Sequence, residues 1–499
     1  MSKYLLAYFL FRIYTSSIRS RMEWYFMNNY ITGHDIEALF AAGKRQLALA
    51  KNDRMTSIAR ESCERLGIQV FDGGAASRSA SAPVADPSSA SRPVNVFTPA
   101  EFKQAEFKPT VSSGSHDAPA DYDIDAWRAQ FPILKEAVHL ANCSQSPQCE
   151  RTRAAAEAYL DSWDHMGMDW DRWVQEVNLA KAEFARLINA DPGEIGIGTS
   201  VSEITSTIAS SLDFGGRRKK VVVTDAEFPT VGLVWLAHEK FGAKVQFIPA
   251  KGGEIDINDY HTAVDNETLL TSFCDVYYYN GFKQDIATIT EMVHAKGSLA
   301  YLDAYQGLGS HPIDVKALDV DFLSSGNLKY LLGIPGIAFV YIKKELISHL
   351  RPAFTGWFGQ ENPFAFDIHH LDYAKDARRF DNGTPPVLTS YIARAGMSVI
   401  NEIGPNAIQR WTDILSERCL EGARRRGLDI ASPQDIRRKA PTTAIRVGPD
   451  SHAVEVALKE RKIICSARGD VVRFAHHFFT KPEDIDYALD SITDVLGRR

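Results

Sequence analysis

Short apolar runs alternate with amphipathic stretches along the chain from about residue 150 onwards. The runs are rich in β-branched and aromatic residues, which is typical of buried strands. Continuous apolar strands that alternate with helices predict an α/β fold with a mostly parallel sheet and helices on both faces. The runs that we expect to form this sheet are Val221–Thr224, Lys244–Ile248, Ser298–Leu302, Val320–Ser324 and Ile337–Ile342.

Two polar residues stand at the ends of predicted strands. Asp303 directly follows the run that ends at Leu302, and Lys329 follows the run that ends at Ser324. Ligands of open α/β sheets bind beyond the carboxyl ends of the strands. We therefore expect the chemistry of this chain to lie around Asp303 and Lys329.

Residues 27–72 predict a small helical segment that precedes the main domain. Ile36, Leu39 and Phe40 form one helical stripe that ends at Gly43, and a second helix is predicted between Thr56 and Arg65. About forty residues bury little surface on their own. The segment resembles short N-terminal pieces of enzymes housed in bacterial shells, so two roles stay open: docking to a scaffold or shell, and a helical hairpin packed on its own enzyme.

The remaining N-terminal residues predict no folded domain. The apolar stretch from Tyr4 to Tyr14 is interrupted by Arg12 and is too short to span a bilayer. Residues 1–26 are therefore interpreted as a leader, or as an upstream start with translation beginning at Met22 or Met27. Residues 73–120 are interpreted as a flexible linker, since Gly, Ala, Ser and Pro make up 17 of the 21 residues in 73–93.

Composition excludes several classes of protein. The net charge of −7 argues against a nucleic-acid-binding protein. Six cysteines in 499 residues, without a CxxC pair, predict neither a disulfide framework nor a zinc site. We expect a reduced protein with a cytoplasmic location, or one directed to a compartment by its N-terminal segment.

The pairing of Asp303 with Lys329 suggests a particular cofactor. An aspartate that closes an apolar strand requires a cationic partner, and Lys329 lies in a glycine-rich segment that includes Gly326, Gly333 and Gly336. Pyridoxal 5'-phosphate needs a lysine for its Schiff base and a carboxylate for its ring nitrogen. The two residues therefore predict a pyridoxal-phosphate site.

Eight motifs support this interpretation, and their order along the chain resembles one family. They are HLANCSQSPQ (139–148), GIGTSVSEI (196–204), DAEFPT (225–230), YLDAYQ (301–306), NLKY (327–330), GWFGQ (356–360), RFDNGTPP (379–386) and DVVRFAHHFFTKPEDIDYAL (470–489). From about Asp121 onwards the chain resembles the fold-type I, class V pyridoxal-phosphate enzymes, which include kynureninases, cysteine desulfurases and isopenicillin-N-epimerase-like proteins. The resemblance implies a large cofactor-binding domain over residues 121–385 and a smaller C-terminal α+β domain over residues 386–499.

The resemblance also implies roles for individual residues around the cofactor. Lys329 would form the Schiff base and Asp303 would pair with the ring nitrogen. Phe228 would stack on the ring and Gln306 would approach its phenolic oxygen. The phosphate would be held by a group of five residues, one of which comes from the partner subunit of a homodimer: Ser200, Val201, Ser202, Asn327 and, from the partner, Thr384. Leu328 departs from the polar or aromatic residue that often precedes the lysine.

A second group of residues is expected on the substrate side. Arg473 is the candidate for the substrate carboxylate, because a guanidinium group holds a carboxylate through two parallel hydrogen bonds. Asn142, Tyr279 and Trp357 are expected to line the substrate pocket. His476 and His477 are interpreted as structural residues.

The sequence therefore predicts an amino-acid-transforming enzyme of the class V aminotransferase type. A kynureninase-like or C–S β-lyase remains the alternative. The resemblance implies that every reaction on this scaffold begins alike: an amino acid displaces Lys329 from its imine, and the freed lysine removes the α-proton. A cysteine desulfurase is disfavoured, because Cys465 lies in an apolar run and buried thiols are unreactive. A scaffold-docked binding protein without catalysis would require Lys329 to be dispensable.

Overall fold

The computed structural model describes residues 123–497 and, nearer the N-terminus, residues 30, 31, 36, 39, 40, 42–49, 54, 55 and 57–72. The expected leader (1–26) and linker (73–120) lie outside the described residues. The chain divides into two compact units, Met1–Thr110 and Val111–Arg499. Among the described helices, none is long and apolar enough to cross a membrane.

The first unit contains strands as well as helix. Its elements are β1 (Tyr30–Ile31), β2 (Gln46–Leu49), β3 (Arg54–Met55), α1 (Ser57–Leu66) and β4 (Gln69–Asp72). β1 pairs with β3 and β2 pairs with β4, in both cases in parallel. The second predicted helix is present as α1, and Ile36, Leu39 and Phe40 are helical, but the expectation of an all-helical segment is corrected. The strands are two to four residues long, too short for an alternating pattern to stand out.

The second unit is built around a seven-stranded sheet. The strands of the unit are β5 (Val138–His139), β6 (Ile195–Gly198), β7 (Lys220–Thr224), β8 (Lys244–Ile248), β9 (Thr268–Cys274), β10 (Leu299–Asp303), β11 (Phe322–Gly326), β12 (Ala338–Ile342), β13 (Thr442–Arg446), β14 (Ile463–Ile464), β15 (Ser466–Arg468) and β16 (Val471–Ala475). The seven strands of the sheet follow the order β6-β12-β11-β10-β9-β7-β8, and β12 alone runs antiparallel to its neighbours. This arrangement agrees with the predicted mostly parallel α/β fold.

Helices cover both faces of this sheet. On one face Phe184 stacks on Phe339 at 4.7 Å, and on the other Trp235 meets Tyr301 edge-on at 6.2 Å. The helices of the unit are α2 (Ile124–Ala129), α3 (Glu150–Met166), α4 (Trp170–Leu187), α5 (Val201–Ser210), α6 (Pro229–Ala237), α7 (Ile257–Ala263), α8 (Ile286–Ala295), α9 (Val315–Leu318), α10 (Lys344–Ile347), α11 (Val387–Ile403), α12 (Pro405–Arg425), α13 (Ser451–Glu460) and α14 (Pro482–Gly497).

The C-terminal residues form a smaller lobe with its own core. An antiparallel sheet in the order β13-β16-β15 packs with α12, α13 and α14. β5 joins this lobe by pairing with β14. α11 begins just after the expected domain boundary at residue 385 but packs against α3 and α4, so this helix continues the large lobe.

Candidate active site

A cavity of about 190 Å³ opens at the carboxyl edge of the parallel strands. Asp303 is the last residue of β10, and Lys329 follows β11, which is the neighbouring strand. The cavity is lined by Thr199, Ser200, Val201, Ser202, Phe228, Thr230, Val231, Cys274, Val276, Tyr278, Asp303, Tyr305, Gln306, Leu328, Lys329, Pro335, Gly336 and Ile337. The cavity therefore lies at the edge of the sheet where a ligand site was predicted.

Lys329 presents its amine to this cavity between two aromatic rings. Its Nζ lies 4.0 Å from the centre of the Tyr305 ring and 5.7 Å from that of Phe228. Burial lowers the pKa of Lys329 to about 8, and the negative charge of Asp303 partly opposes this effect. A lysine with such a pKa is a substantial source of neutral amine near physiological pH, as a nucleophile or general base requires.

Asp303 is a buried carboxylate at the base of the cavity. It is 5% exposed, and its Oδ1 accepts a hydrogen bond of 2.9 Å from the Tyr305 N–H group. Burial raises the pKa of Asp303, while this hydrogen bond and the charge of Lys329 act in the opposite direction. The residue is thus placed to hold a cationic group of a ligand that enters the cavity.

The beginning of α5 forms a second side of the cavity. Ser200 caps the helix by accepting a hydrogen bond of 3.1 Å from the Glu203 N–H group, and Val201 and Ser202 form the first turn. The Ser202 hydroxyl contacts that of Thr230 at 3.3 Å. Backbone N–H groups at a helix N-terminus bind anions such as phosphate.

Phe228 and Gln306 complete the cofactor side of the cavity. Phe228 precedes Pro229 at the start of α6, and its ring packs edge-on against Tyr278 with a centroid distance of 5.3 Å. The amide of Gln306 donates a hydrogen bond of 3.3 Å to the Cys143 carbonyl. An amine, a carboxylate, an anion-binding turn and an aromatic ring therefore meet in one cavity, which is the donor set that pyridoxal phosphate needs.

Arg473, on β16, does not itself line the cavity, but it bonds to Tyr278, which does. Its guanidinium is 1% exposed and donates to the Tyr278 carbonyl at 2.6 Å, the Ser466 hydroxyl at 2.6 Å and the Ser144 hydroxyl at 3.1 Å. Among the described residues, no carboxylate pairs with it. Its positive charge contributes to the lowered pKa of Lys329. A buried guanidinium without an anionic partner next to a reactive amine is suited to a substrate carboxylate.

Two predicted site residues do not line the cavity, and their side chains are hydrogen-bonded within the fold. Asn142 is buried, and both ends of its amide form hydrogen bonds: it donates to the Ala475 carbonyl at 2.7 Å and accepts from the Ser146 hydroxyl at 2.9 Å. Tyr279 donates its hydroxyl to Asp470 at 2.5 Å.

Three further predicted residues do not line the cavity of the single chain either. Trp357 packs in an aromatic cluster whose members include Phe358 and Phe366. Asn327 is fully buried, and its amide faces Gly333 closely enough that a methyl group added there would lie 1.5 Å from Oδ1. Thr384 is exposed, so its role as a partner-subunit residue stays a prediction.

The paired histidines and the cysteines are enclosed. His476 bonds to the Ser416 hydroxyl at 2.9 Å, and His477 bonds to the Tyr330 carbonyl at 3.0 Å. Burial lowers the pKa of His477 to about 3 and lowers that of His476 as well. All six cysteines are free thiols and buried, and burial raises the pKa of Cys465 to about 12.

The structure adds cavity residues that the sequence did not single out. Tyr278, rather than Tyr279, lines the cavity, and Tyr305 forms the second ring beside Lys329. Tyr305 lies between two predicted site residues, Asp303 and Gln306, so its place in the sequence could have indicated that it lines the cavity. The choice among three consecutive tyrosines at 277–279 depends on the turn after β9, which has no sequence signature.

The fold and the site define a pyridoxal-phosphate enzyme of fold type I. The family model described as aminotransferase class-V matches residues 154–482, and the chain belongs to this family. It is a pyridoxal-phosphate-dependent transferase or lyase that acts on amino acids.

Relatives within the family carry different activities. The uncharacterized aminotransferase YcbU of Bacillus subtilis is 40% identical over 370 residues, covering 74% of this chain and 97% of the relative. The kynureninase of Deinococcus radiodurans is 26% identical over 387 residues, covering 74% of this chain and 92% of that protein. The apo structure of a cysteine desulfurase from Thermococcus onnurineus superposes with a TM-score of 0.69 at 21% identity, over 77% of this chain and 100% of the other.

Proposed function

We propose that this enzyme transfers the α-amino group of an amino acid and that Lys329 is its catalytic lysine. The observation that carries this proposal is the amine of Lys329, which faces the cavity with a pKa of about 8. Among the described cavity residues there is no histidine, and the single thiol, Cys274, is buried with a raised pKa. Amino-group transfer needs one group that removes a proton and returns it, and Lys329 is sufficient for this task.

The surrounding residues have separate tasks in this proposal. Arg473 binds the carboxylate of the substrate and fixes its orientation. Lys329 takes the proton from the α-carbon and returns it one step later. The N–H groups at the start of α5 would bind the phosphate of pyridoxal phosphate, Phe228 would cover its ring, and Asp303 would pair with its protonated ring nitrogen. When bound, pyridoxal phosphate supplies an aldehyde for the amino group and a ring that withdraws electrons from the α-carbon.

The test is a titration of the cofactor-loaded protein with a panel of amino acids, without an added keto acid. Visible absorption and keto-acid release are followed together. A lasting spectral change with one equivalent of keto acid supports amino-group transfer. Repeated release of product with return of the original spectrum contradicts it and supports a lyase or epimerase. A Lys329→Ala variant is the control, and it should release no keto acid.

A β-lyase of the kynureninase-like or C–S type is the second candidate. The observation that favours it is the Deinococcus radiodurans kynureninase, which matches 74% of this chain at 26% identity. Kynurenine and cystine therefore belong in the amino-acid panel. A cysteine desulfurase is disfavoured by the burial of all six thiols. If Cys465→Ser abolished sulfur release from cysteine while cofactor binding persisted, that conclusion would be wrong.

We also propose that two copies of the chain form a homodimer in which Thr384 of one subunit contributes to the phosphate site of the other. The support is the exposure of Thr384 in the single chain and the partner-subunit role implied by the RFDNGTPP motif. A mixture of Lys329→Ala and Thr384→Ala proteins tests this proposal, because shared sites predict that mixed dimers regain one intact site. No recovery of activity after subunit exchange would contradict it.

For the N-terminal unit we propose a docking role, with packing on the enzyme as the alternative. The unit is compact, with its own buried core that includes Ile31, Leu47, Met55 and Ile68. Deleting residues 1–120 distinguishes the two roles. Unchanged activity with lost co-assembly supports docking to a scaffold or shell, whereas loss of solubility supports packing.

A further inference from the structure

Three carboxyl groups are buried together near the ends of β9 and β10. Asp303 ends β10 and Asp275 directly follows β9, and the Asp275 N–H group donates to the Asp303 carbonyl at 2.9 Å. Glu227 joins them from the turn between β7 and α6. Asp275 is 2% exposed, and Asp303 and Glu227 are each 5% exposed. A buried cluster of three carboxyl groups needs a positive partner for each negative charge; otherwise some of the groups must be protonated.

Two of these carboxyl groups have a basic side chain nearby. Asp275 pairs with His311 across 3.1 Å. Gly307 makes this approach feasible, since a methyl group added there would lie 1.7 Å from Asp275 Oδ2. Asp303 is attracted by the charge of Lys329, and under the proposed function it would pair with the cofactor's ring nitrogen.

Glu227 is the carboxyl group that remains without a partner. Both of its oxygens are inaccessible to solvent, and neither has a hydrogen-bond partner among the described residues. The groups that act on it or respond to its charge are not cationic; they are Tyr260 of α7, Cys274 of β9, and Tyr301 and Asp303 of β10. An isolated buried carboxylate is so costly that the group takes up a proton instead.

We propose that Glu227 holds a proton in the resting protein and is a neutral side chain beside the charged Asp303. Among the described residues that line the cavity, Asp303 then remains the single negative charge. Burial and the nearby charge of Asp303 both raise the pKa of Glu227, in agreement with this assignment. The role toward the cofactor rests on the proposed position of its ring against Asp303, whereas the protonation of Glu227 does not depend on it.

Infrared difference spectroscopy of the cofactor-free protein tests the protonation directly. Wild-type protein is compared with Glu227→Gln at pH 8, in H₂O and in D₂O. We expect the variant to lose one carbonyl band of a protonated carboxylic acid that shifts in D₂O. Glu176→Gln is the matched control, because Glu176 pairs with Arg394 at 2.6 Å and should lose only carboxylate bands. Loss of carboxylate bands alone in Glu227→Gln would overturn the proposal.

Cofactor affinity tests whether the site needs a second negative charge. Glu227→Gln is neutral, as the protonated acid is, so we expect its dissociation constant for pyridoxal phosphate to stay within about twofold of wild type. Tenfold weaker binding in Glu227→Gln would show that a negative charge at this position is needed. If wild-type protein bound no pyridoxal phosphate, the proposed function would fail while the infrared result would stand.

Discussion

The titration of Lys329 gives a quantitative prediction for cofactor loading. With a pKa of about 8, the amine is about 9% neutral at pH 7, whereas a lysine with the ordinary pKa is about 0.03% neutral. The structure therefore predicts an advantage of about 300-fold in neutral amine at that pH. Because only the neutral amine attacks an aldehyde, the rate of covalent loading should follow this fraction.

The pH profile is the decisive feature of this prediction. From pH 6 to pH 8 the neutral fraction rises from about 1% to about 50%, and it reaches about 90% at pH 9. The loading rate of cofactor-free protein should thus rise about 50-fold and then level off. The assay mixes protein with pyridoxal phosphate, reduces the adduct with borohydride at set times, and locates the modified lysine by mass spectrometry. A rate that keeps rising tenfold per pH unit through pH 9 would refute the reasoning.

A variant of Asp303 tests the direction of the electrostatic effect on the pKa of Lys329. Its negative charge favours the protonated form of Lys329, so the Asp303→Asn variant should move the midpoint of the profile to lower pH. A shift to higher pH would contradict the assigned electrostatics. Lys439 serves as the comparison lysine, because its pKa is also about 8 but its side chain is enclosed at 1% exposure. We expect modification at Lys329 and none at Lys439.

Three further predictions concern binding and stability. Arg473→Lys keeps the charge but loses the planar fork, so kcat/KM for an amino acid should fall about 100-fold with unchanged cofactor affinity; an equal loss of cofactor affinity would contradict the substrate role. Gly307→Ala forces a methyl group to within 2.6 Å of His311 Cε1, and urea denaturation should show a loss of about 1–3 kcal/mol. The control Gly216→Ala, with its nearest contact at 3.8 Å, should change stability by less than about 0.5 kcal/mol. The pKa of Lys439 is lower in the folded protein than in the unfolded chain. The buried charge of Lys439 therefore lowers the free energy of unfolding by its full amount below pH 8, and this effect disappears as the pH rises towards about 10.4. Lys439→Met should therefore raise the free energy of unfolding by about 1–3 kcal/mol at pH 7 and lose most of this gain by pH 9.5, and an equal gain at both pH values would refute the assignment.

The sequence was most informative where local pattern and chain order decide the structure. The five predicted strand runs lie in β7, β8, β10, β11 and β12 of one sheet, because long buried strands show as continuous apolar runs. Lys329, Asp303 and the start of α5 meet because parallel strands bring their carboxyl ends to one edge. The short strands β1 to β4 were not predicted, because two to four residues show too little periodicity.

The substrate side was harder to predict because it depends on contacts between distant segments. Asn142 stands in a motif that resembles an active-site segment, yet its amide is held by Ser146 and by Ala475, more than three hundred residues away. The same kind of distance separates Arg473 from Ser144, and its guanidinium has several hydrogen-bond partners but no carboxylate among the described residues. What distinguishes the two residues is therefore the charge of Arg473, which no carboxylate compensates, and this follows only from the three-dimensional arrangement. Glu227 is a further example, because its sequence neighbours do not indicate that both of its buried oxygens lack a hydrogen-bond partner among the described residues.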